Sequence, residues 1–289
     1  MATRYADDYE FDHGAQFFTA RTKAFQTFLQ PLIDDGVVTD WQAQFAEFDR
    51  DRIAVLRSWD DAYPHYVGNP RMNSIGKALS HGLTVVLGTA ITSIARLKNG
   101  WQLTDATGQE SGPFDWLILT APASQTAAIG ASYPDLVAFC DERKMLGCYA
   151  LMLGFLKPLD FAWQAALVRN SDVSWISVNS SKPGRKGLFT LVAHSTNAWA
   201  DAHIDRDERA VLEHLFDSVA SVTGNDLKSV GHRQLHRWRF ANATTQAGPG
   251  LFLRDDIGLA ACGDWCVRGR IEAAFTSAND LGNILVARI

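Results

Sequence analysis

The chain has 289 residues, 47% of them hydrophobic, and a formal net charge of −5 from 27 Lys plus Arg against 32 Asp plus Glu, the make-up of a folded protein with a sizeable core. No basic stripe or run of like charges marks a phosphate-backbone binder, which excludes nucleic acid as the expected partner. The longest uncharged stretch, Trp116 to Pro134, is interrupted by Pro122, Gln125 and several Ser and Thr, and the acidic opening has no apolar signal region; neither a membrane span nor a secretory leader is expected, and a cytoplasmic protein is.

The chain opens "MATRYADDYEFDHGAQFFTAR", in which Phe11 to Phe18 reads as an apolar-flanked strand entering a glycine turn, the pattern of a domain interior. A helix is predicted from about Thr22 to Asp34, with Phe25, Phe28, Leu29 and Leu32 on one face and Pro31 able to end it early. A second is predicted from Asn69 to about His81, with Pro70 at its first helical position. Short strands follow at Leu83–Gly88, at Ile91–Leu97 and from Gly100, with Asn99-Gly100 turning between the last two, so a small meander is expected. "FDWLILTAP", Phe114 to Pro122, reads as a buried parallel strand that ends at a crevice loop.

Four segments, "GCYALMLGF", "VSWISVNSS", "LFTLVAHS" and "HRQLHRWRF", are rich in β-branched and aromatic residues and are expected to form one sheet. Asp205 and Glu208 have capping-box spacing before a helix that runs to about Val222. The C-terminal stretch reads as a strand, a Gly-Asp turn and a helix with Ile271, Ala274, Phe275, Ala278, Leu281 and Leu285 on one face. With no internal repeat and no linker-like tract, any two domains must be interleaved.

The sequence contains no G-x-G-x-x-G, no phosphate-binding G-x-x-x-x-G-K-[ST] and no G-x-S-x-G elbow. Cys140, Cys148, Cys262 and Cys266 lack the density of a disulfide scaffold and read as reduced core thiols, and a polar layer explains His232 and His236 more simply than a metal does. No metal is expected. Asp264 lies between a strand end and a helix start. It either accepts hydrogen bonds from a nucleotide cofactor's hydroxyls or caps the last helix and its turn, and spacing alone leaves both readings open.

The segments "MATR…FDHGAQFFTAR", "YVGNPRMNSIGKAL", "FDWLILTAPASQ", "SWISVNSSKPGR" and "CGDWCVRGRIEAA" resemble, in order, landmarks of the bacterial renalase-like branch of the FAD-dependent amine oxidase superfamily. The resemblance implies an α/β fold. An FAD/NAD(P)-binding, Rossmann-like domain (1–21, 80–126 and 253–289) would be interleaved with an α+β substrate domain (22–79 and 127–252) built on a mostly antiparallel sheet. In the family a Rossmann βαβ precedes the MATR-like stretch, so the resemblance implies that Met1 is an internal methionine and that about 40 residues of dinucleotide site are missing.

Carried over by position, Gly14, Ala15 and Gln16 would run beside the flavin ring, the strand of Ile91 would meet the adenine, Gly263 would belong to the cofactor site, Asp264 would lie near the ribityl and pyrophosphate, and Arg270, Ile271 and Glu272 would begin the helix facing the flavin pyrimidine. Phe17, Phe18 and Arg21 would face the substrate. The last helix departs from the family's E-G-A-W-x-S-G pattern, with Ala273 and Ala278 at the glycine positions of "EAAFTSA". The implied reaction is hydride removal by FAD from a dihydronicotinamide or amine substrate, with reoxidation by dioxygen and no catalytic base assigned. Two rival readings are a non-catalytic fragment unable to hold FAD and a small-molecule binding protein that uses the second domain's groove.

Overall fold

The computed structural model describes residues 1–59 and 62–288, and these form two compact units interleaved along the chain. The first comprises residues 1–81 and 146–241, the second residues 82–145 and 242–289. Residues 1–21, which the resemblance groups with a cofactor domain, pack here with the larger sheet of the first unit.

The first unit is organised by a seven-stranded sheet. Its order is Val230–Ala243, Met145–Phe155, Phe189–Ser195, Val173–Val178, Ala165–Arg169, Gln44–Asp49 and Arg52–Ser58. Neighbours are antiparallel where their register is defined, except that Ala165–Arg169 runs parallel to Gln44–Asp49. All four segments expected from their β-branched and aromatic content lie in it. The strand Met145–Phe155 is an almost unbroken apolar run because both of its faces are covered. Leu151, Leu153 and Phe155 pack with Val211, Leu215, Val219 and Val222 of the helix Glu208–Thr223. Met152 packs instead with Tyr9 and Phe11 from the hairpin Arg4–Ala6/Tyr9–Phe11. Each such side chain contributes about 1.5–3 kcal/mol on burial, so these two faces hold the unit together.

The second unit holds a three-stranded meander, Ile91–Leu97, Gly100–Asp105 and Glu110–Phe114, and a three-stranded sheet in which Leu259–Ala261 pairs parallel with Leu117–Leu119 and antiparallel with Phe252–Arg254. The helix Ile271–Val286 buries Ala273, Ser277 and Leu281, a spacing of four. Leu281 and Leu285 of the expected face do pack inward, but toward the helix start the buried line shifts to Ala273 and Ser277, and Ala278 is exposed.

Several sequence expectations need correction. Leu83–Gly88 is not a strand: nothing pairs with it among the described residues, and Leu83, Val86 and Leu87 are 68%, 73% and 86% exposed. The meander takes Glu110–Phe114 as its third strand instead. The helix expected over Asn69–His81 spans only Ser74–Leu79, because the residues before it are held from elsewhere: the amides of Met72 and Asn73 donate to Asp12 and Thr3. Asp205 is not a cap. Asp207 is, accepting from the Ala210 amide at 3.0 Å, while Asp205 pairs with Arg239. Pro31 does not end the first helix, which runs Lys23–Asp34 behind a Thr22 cap and buries Phe25 and Leu29.

Gly154 is set by this packing, since a Cβ there would come within 2.6 Å of the Tyr9 ring. Gly154→Ala is expected to lower unfolding stability by about 1–3 kcal/mol through overpacking, measured by chemical denaturation. Adding Tyr9→Ala should make that alanine cheaper than it is in the parent, and a cost unchanged in the Tyr9→Ala background would refute the contact.

Candidate functional site

In the first unit, the residues after the hairpin are held by one buried carboxylate. Asp12 is 1% exposed, and all of its acceptor capacity is used. Oδ1 accepts from Thr3 Oγ1 at 2.7 Å and the Met72 amide at 3.1 Å, and Oδ2 accepts from Arg185 Nε at 3.1 Å and Nη2 at 2.5 Å. The Arg185 side chain is 2% exposed and spends its other nitrogen on the carbonyls of Gly68 and Pro183. Burial alone would raise the Asp12 pKa, but the charges of Lys182 and Arg185 and the hydrogen bonds from Thr3 and Arg185 outweigh it and hold the carboxyl below its ordinary value.

Four residues on, Gln16 is 7% exposed and folds its amide back on its own loop. Its Nε2 donates to the carbonyls of Asp12 (2.5 Å) and Gly14 (3.0 Å), and its Oε1 accepts from Ser177 Oγ (2.8 Å) and Lys182 Nζ (3.1 Å). The carbonyl of His13 accepts from the Trp238 indole at 3.0 Å, and the His13 ring stacks on Trp238. Burial pushes both His13 and His194 down to about 4, so these imidazoles are neutral at physiological pH.

Phe17 leaves this polar cradle and enters an aromatic cup. Its ring centroid lies 5.1 Å from Trp59, 4.9 Å from His65 and 5.4 Å from Trp175, all of them half-buried, and Trp59 stacks on His65 at 3.8 Å. Burial lowers the His65 pKa, with Asp40 opposing and Arg21 and Arg57 assisting, and the Arg57 guanidinium lies 5.1 Å from the ring centroid of Phe45, which packs against Trp59. Arg21 is exposed, its guanidinium 3.8 Å from the Tyr63 ring centroid. Phe18 is buried against Phe25 and Tyr66, and its backbone bridges to Tyr66 in both directions, so that ring serves packing.

The second unit gathers the remaining candidates. Ile91 begins the meander and packs against the cluster that contains Trp265 and Cys266. Gly263 has φ +157°, and a Cβ there would lie 2.7 Å from the Trp265 indole nitrogen. Its amide donates to Ser277 Oγ, which in turn donates to the Gly250 carbonyl, so the turn is pinned to the last helix. Asp264 opens a short 3-10 turn, and burial raises its pKa, offset only in part by amides of its own turn. It does not cap the last helix: the cap position is Arg270, which makes no side-chain cap bond to the helix that begins Ile271, Glu272. Cys262 and Cys266 are free, buried thiols with raised pKa values, Cys266 pushed up to about 12, and no cluster of three metal-ligating side chains occurs among the described residues.

Sequence reasoning did not single out Asp12, Lys182, Arg185, Trp59, His65 or Trp175. Asp12 and Arg185 are 173 residues apart, a pairing that no local spacing signals. The available hint was a lysine and an arginine in "SKPGR" directly after an apolar strand, and an aromatic excess around Phe17.

The sequence profile of the flavin containing amine oxidoreductase family matches residues 63–279. Among solved structures, a candidate protoporphyrinogen oxidase from Exiguobacterium sp. 255-15 is similar at a TM-score of 0.67 and 10% identity, over 91% of this chain and 85% of that one. Wild-type putrescine oxidase bound to putrescine is similar at a TM-score of 0.58 and 15% identity, over 78% of this chain and 54% of that one. The chain thus spans about half the length of putrescine oxidase, and at these identities the likeness is one of fold.

The Asp12 network makes a direct prediction. Asp12→Asn leaves the buried Arg185 charge without its counter-ion and should cost about 3–5 kcal/mol in chemical denaturation at neutral pH. Because the folded-state pKa of Asp12 is depressed, its stabilisation is full above the unfolded value of 3.8 and is lost as pH falls below it. The gap between wild type and variant should therefore shrink in acid, and a gap that is small at neutral pH or grows in acid would contradict the assignment.

Proposed function

The chain belongs to the flavin-containing amine oxidoreductase family, whose profile spans residues 63–279, and on that premise we propose that it is a renalase-like FAD-dependent oxidase of a reduced nicotinamide nucleotide. FAD is the family's cofactor. Bound FAD would supply the redox chemistry, accepting a hydride from the substrate and passing the electrons to dioxygen. The protein's own residues bind, orient and exclude water.

The second unit's residues suit part of such a cofactor. Asp264 is a desolvated carboxylate that would bind sugar hydroxyls, and the helix that starts at Arg270, Ile271 and Glu272 would turn the positive end of its dipole toward an anionic group. Gly263 would keep the backbone of this turn free of a side chain. In the first unit, Gly14, Ala15 and Gln16 would run beside the flavin ring on a loop whose course is fixed by buried hydrogen bonds.

One observation carries the substrate class: the aromatic cup at Phe17 stands near the cations of Arg21 and Arg57. A protonated amine would meet two like charges there, and among the described residues the carboxylate that His65 contacts is Asp40, which accepts from the His65 amide. A dihydronicotinamide is a neutral planar ring that stacks on such faces, and its phosphate would pair with arginine. Phe17 and Trp175 would orient the ring, and Arg21 would hold the phosphate.

A second reading, that this chain alone does not hold FAD, is supported by the absence of G-x-G-x-x-G and by the exposed Leu83, Val86 and Leu87, an apolar strip of strand-forming residues with no partner strand among the described residues. Both readings meet in one experiment. The purified chain is titrated with FAD, then mixed without oxygen with a reduced nicotinamide nucleotide or a primary amine while the flavin's visible absorbance is followed. The proposal expects bleaching by the nucleotide and recovery on admitting air. Bleaching by the amine alone would overturn the substrate class, and failure to bind FAD would favour the second reading.

Two variants sharpen this. A hydrogen bond to a charged group contributes about 1.5–3 kcal/mol, so Asp264→Ala should weaken FAD binding roughly tenfold to over a hundredfold. Arg21→Ala should raise KM for the phosphate-bearing substrate and leave FAD affinity unchanged. Parent-like FAD binding by Asp264→Ala would remove that residue from the cofactor site.

A further inference from the structure

We propose that Lys182 is a positioning residue: its amine and the Ser177 hydroxyl together fix the Gln16 side-chain amide, and through it the course of the Gly14–Phe17 segment. The Lys182 side chain is fully buried, 5.3 Å from the centre of the Trp41 ring. Its Nζ lies 3.1 Å from both Gln16 Oε1 and Asn179 Oδ1, and Ser177 Oγ donates to the same Gln16 oxygen at 2.8 Å. Two donors on one oxygen settle which end of the amide is which, so Nε2 is left to donate to the carbonyls of Asp12 and Gly14. Those two bonds bend the loop that leads into Phe17.

A neutral amine has two N–H donors, matched by the oxygens of Gln16 and Asn179, whereas an ammonium has three. That third donor would face Asp12 Oδ2, 3.8 Å away and already accepting twice from Arg185, and the Trp41 ring. Burial brings the Lys182 pKa down from 10.5 to about 7, with Asp12 opposing and Arg185 assisting. The other groups facing it are Asp12, which lies below the ordinary carboxylate range, His194, which lies near 4, and the Arg185 guanidinium, a second positive charge. Protonation of Lys182 near neutrality adds a charge and a third N–H, redistributes its donors among Gln16, Asn179 and Asp12, and so reaches the segment through Gln16.

The consequence for hydride transfer rests on the proposed function, but no arm of the test requires FAD, so the two can fail separately. The full chain, isotope-labelled, is titrated by NMR while the Lys182 Cε signal, the Gly14 and Ala15 amides and the Trp238 indole are followed. All should move together with a midpoint near 7. In Lys182→Met the amide and indole signals should start displaced and lose that midpoint, while signals from the helix Glu208–Thr223 stay in place. A Lys182 midpoint at the ordinary 10.5, or loop signals that titrate unchanged in Lys182→Met, overturns the proposal. If Lys182→Met does not fold, Gln16→Met decides, because it removes the shared oxygen at similar volume and must shift the Lys182 Cε midpoint. An unmoved midpoint there overturns the proposal as well.

Discussion

A carboxylate taken almost wholly out of water needs a charge of opposite sign in good geometry, and Asp12 obtains one from Arg185 across 173 residues of chain. That pair is the constraint from which the first unit's functional edge is built. Asp12 also accepts from Thr3 and from the amide of Met72, so four stretches of sequence meet at one side chain. A hydrophobic contact tolerates small displacements. A buried ion pair with every lone pair used does not, and this is why the loop from His13 to Phe17 can be held in one course although it has no regular secondary structure.

The constraint passes outward through Gln16. Its amide closes the loop on itself, and Phe17 then enters the aromatic cup with Trp59, His65 and Trp175. The neutral imidazoles of His13 and His194 fit the same logic, since a second buried cation would compete with Arg185 for the one carboxylate. A flavin that supplies the redox step would ask its protein chiefly for orientation, and a polar cradle beside aromatic rings would provide it.

The parts of this fold that could be read in the sequence are those fixed by local pattern. Thr22 caps its helix, and Leu151, Ile176 and Leu191 sit on strands that β-branched and apolar content already marked. Where a neighbour decides the outcome, local pattern failed. Leu83–Gly88 has the composition of a strand but no pairing partner among the described residues, while Gln44–Asp49 and Arg52–Ser58 joined the sheet around a turn at Arg50, a residue type that seldom takes positive φ. The site divides in the same way. Gln16, Phe17 and Asp264 drew notice through a family resemblance, whereas Asp12, Lys182 and Arg185 acquire their structural roles only by burial and long-range pairing, which spacing does not encode.

We propose that the loop held by Asp12 and Gln16 takes part in FAD binding, and, as a separate assignment, that the turn at Gly263 and Asp264 does. Amide hydrogen exchange with and without saturating FAD tests it most directly. The account predicts slower exchange on FAD addition in residues 13–17 and in 263–273, with the helix Glu208–Thr223 unchanged. Saturated FAD binding with no added protection in either segment would contradict it.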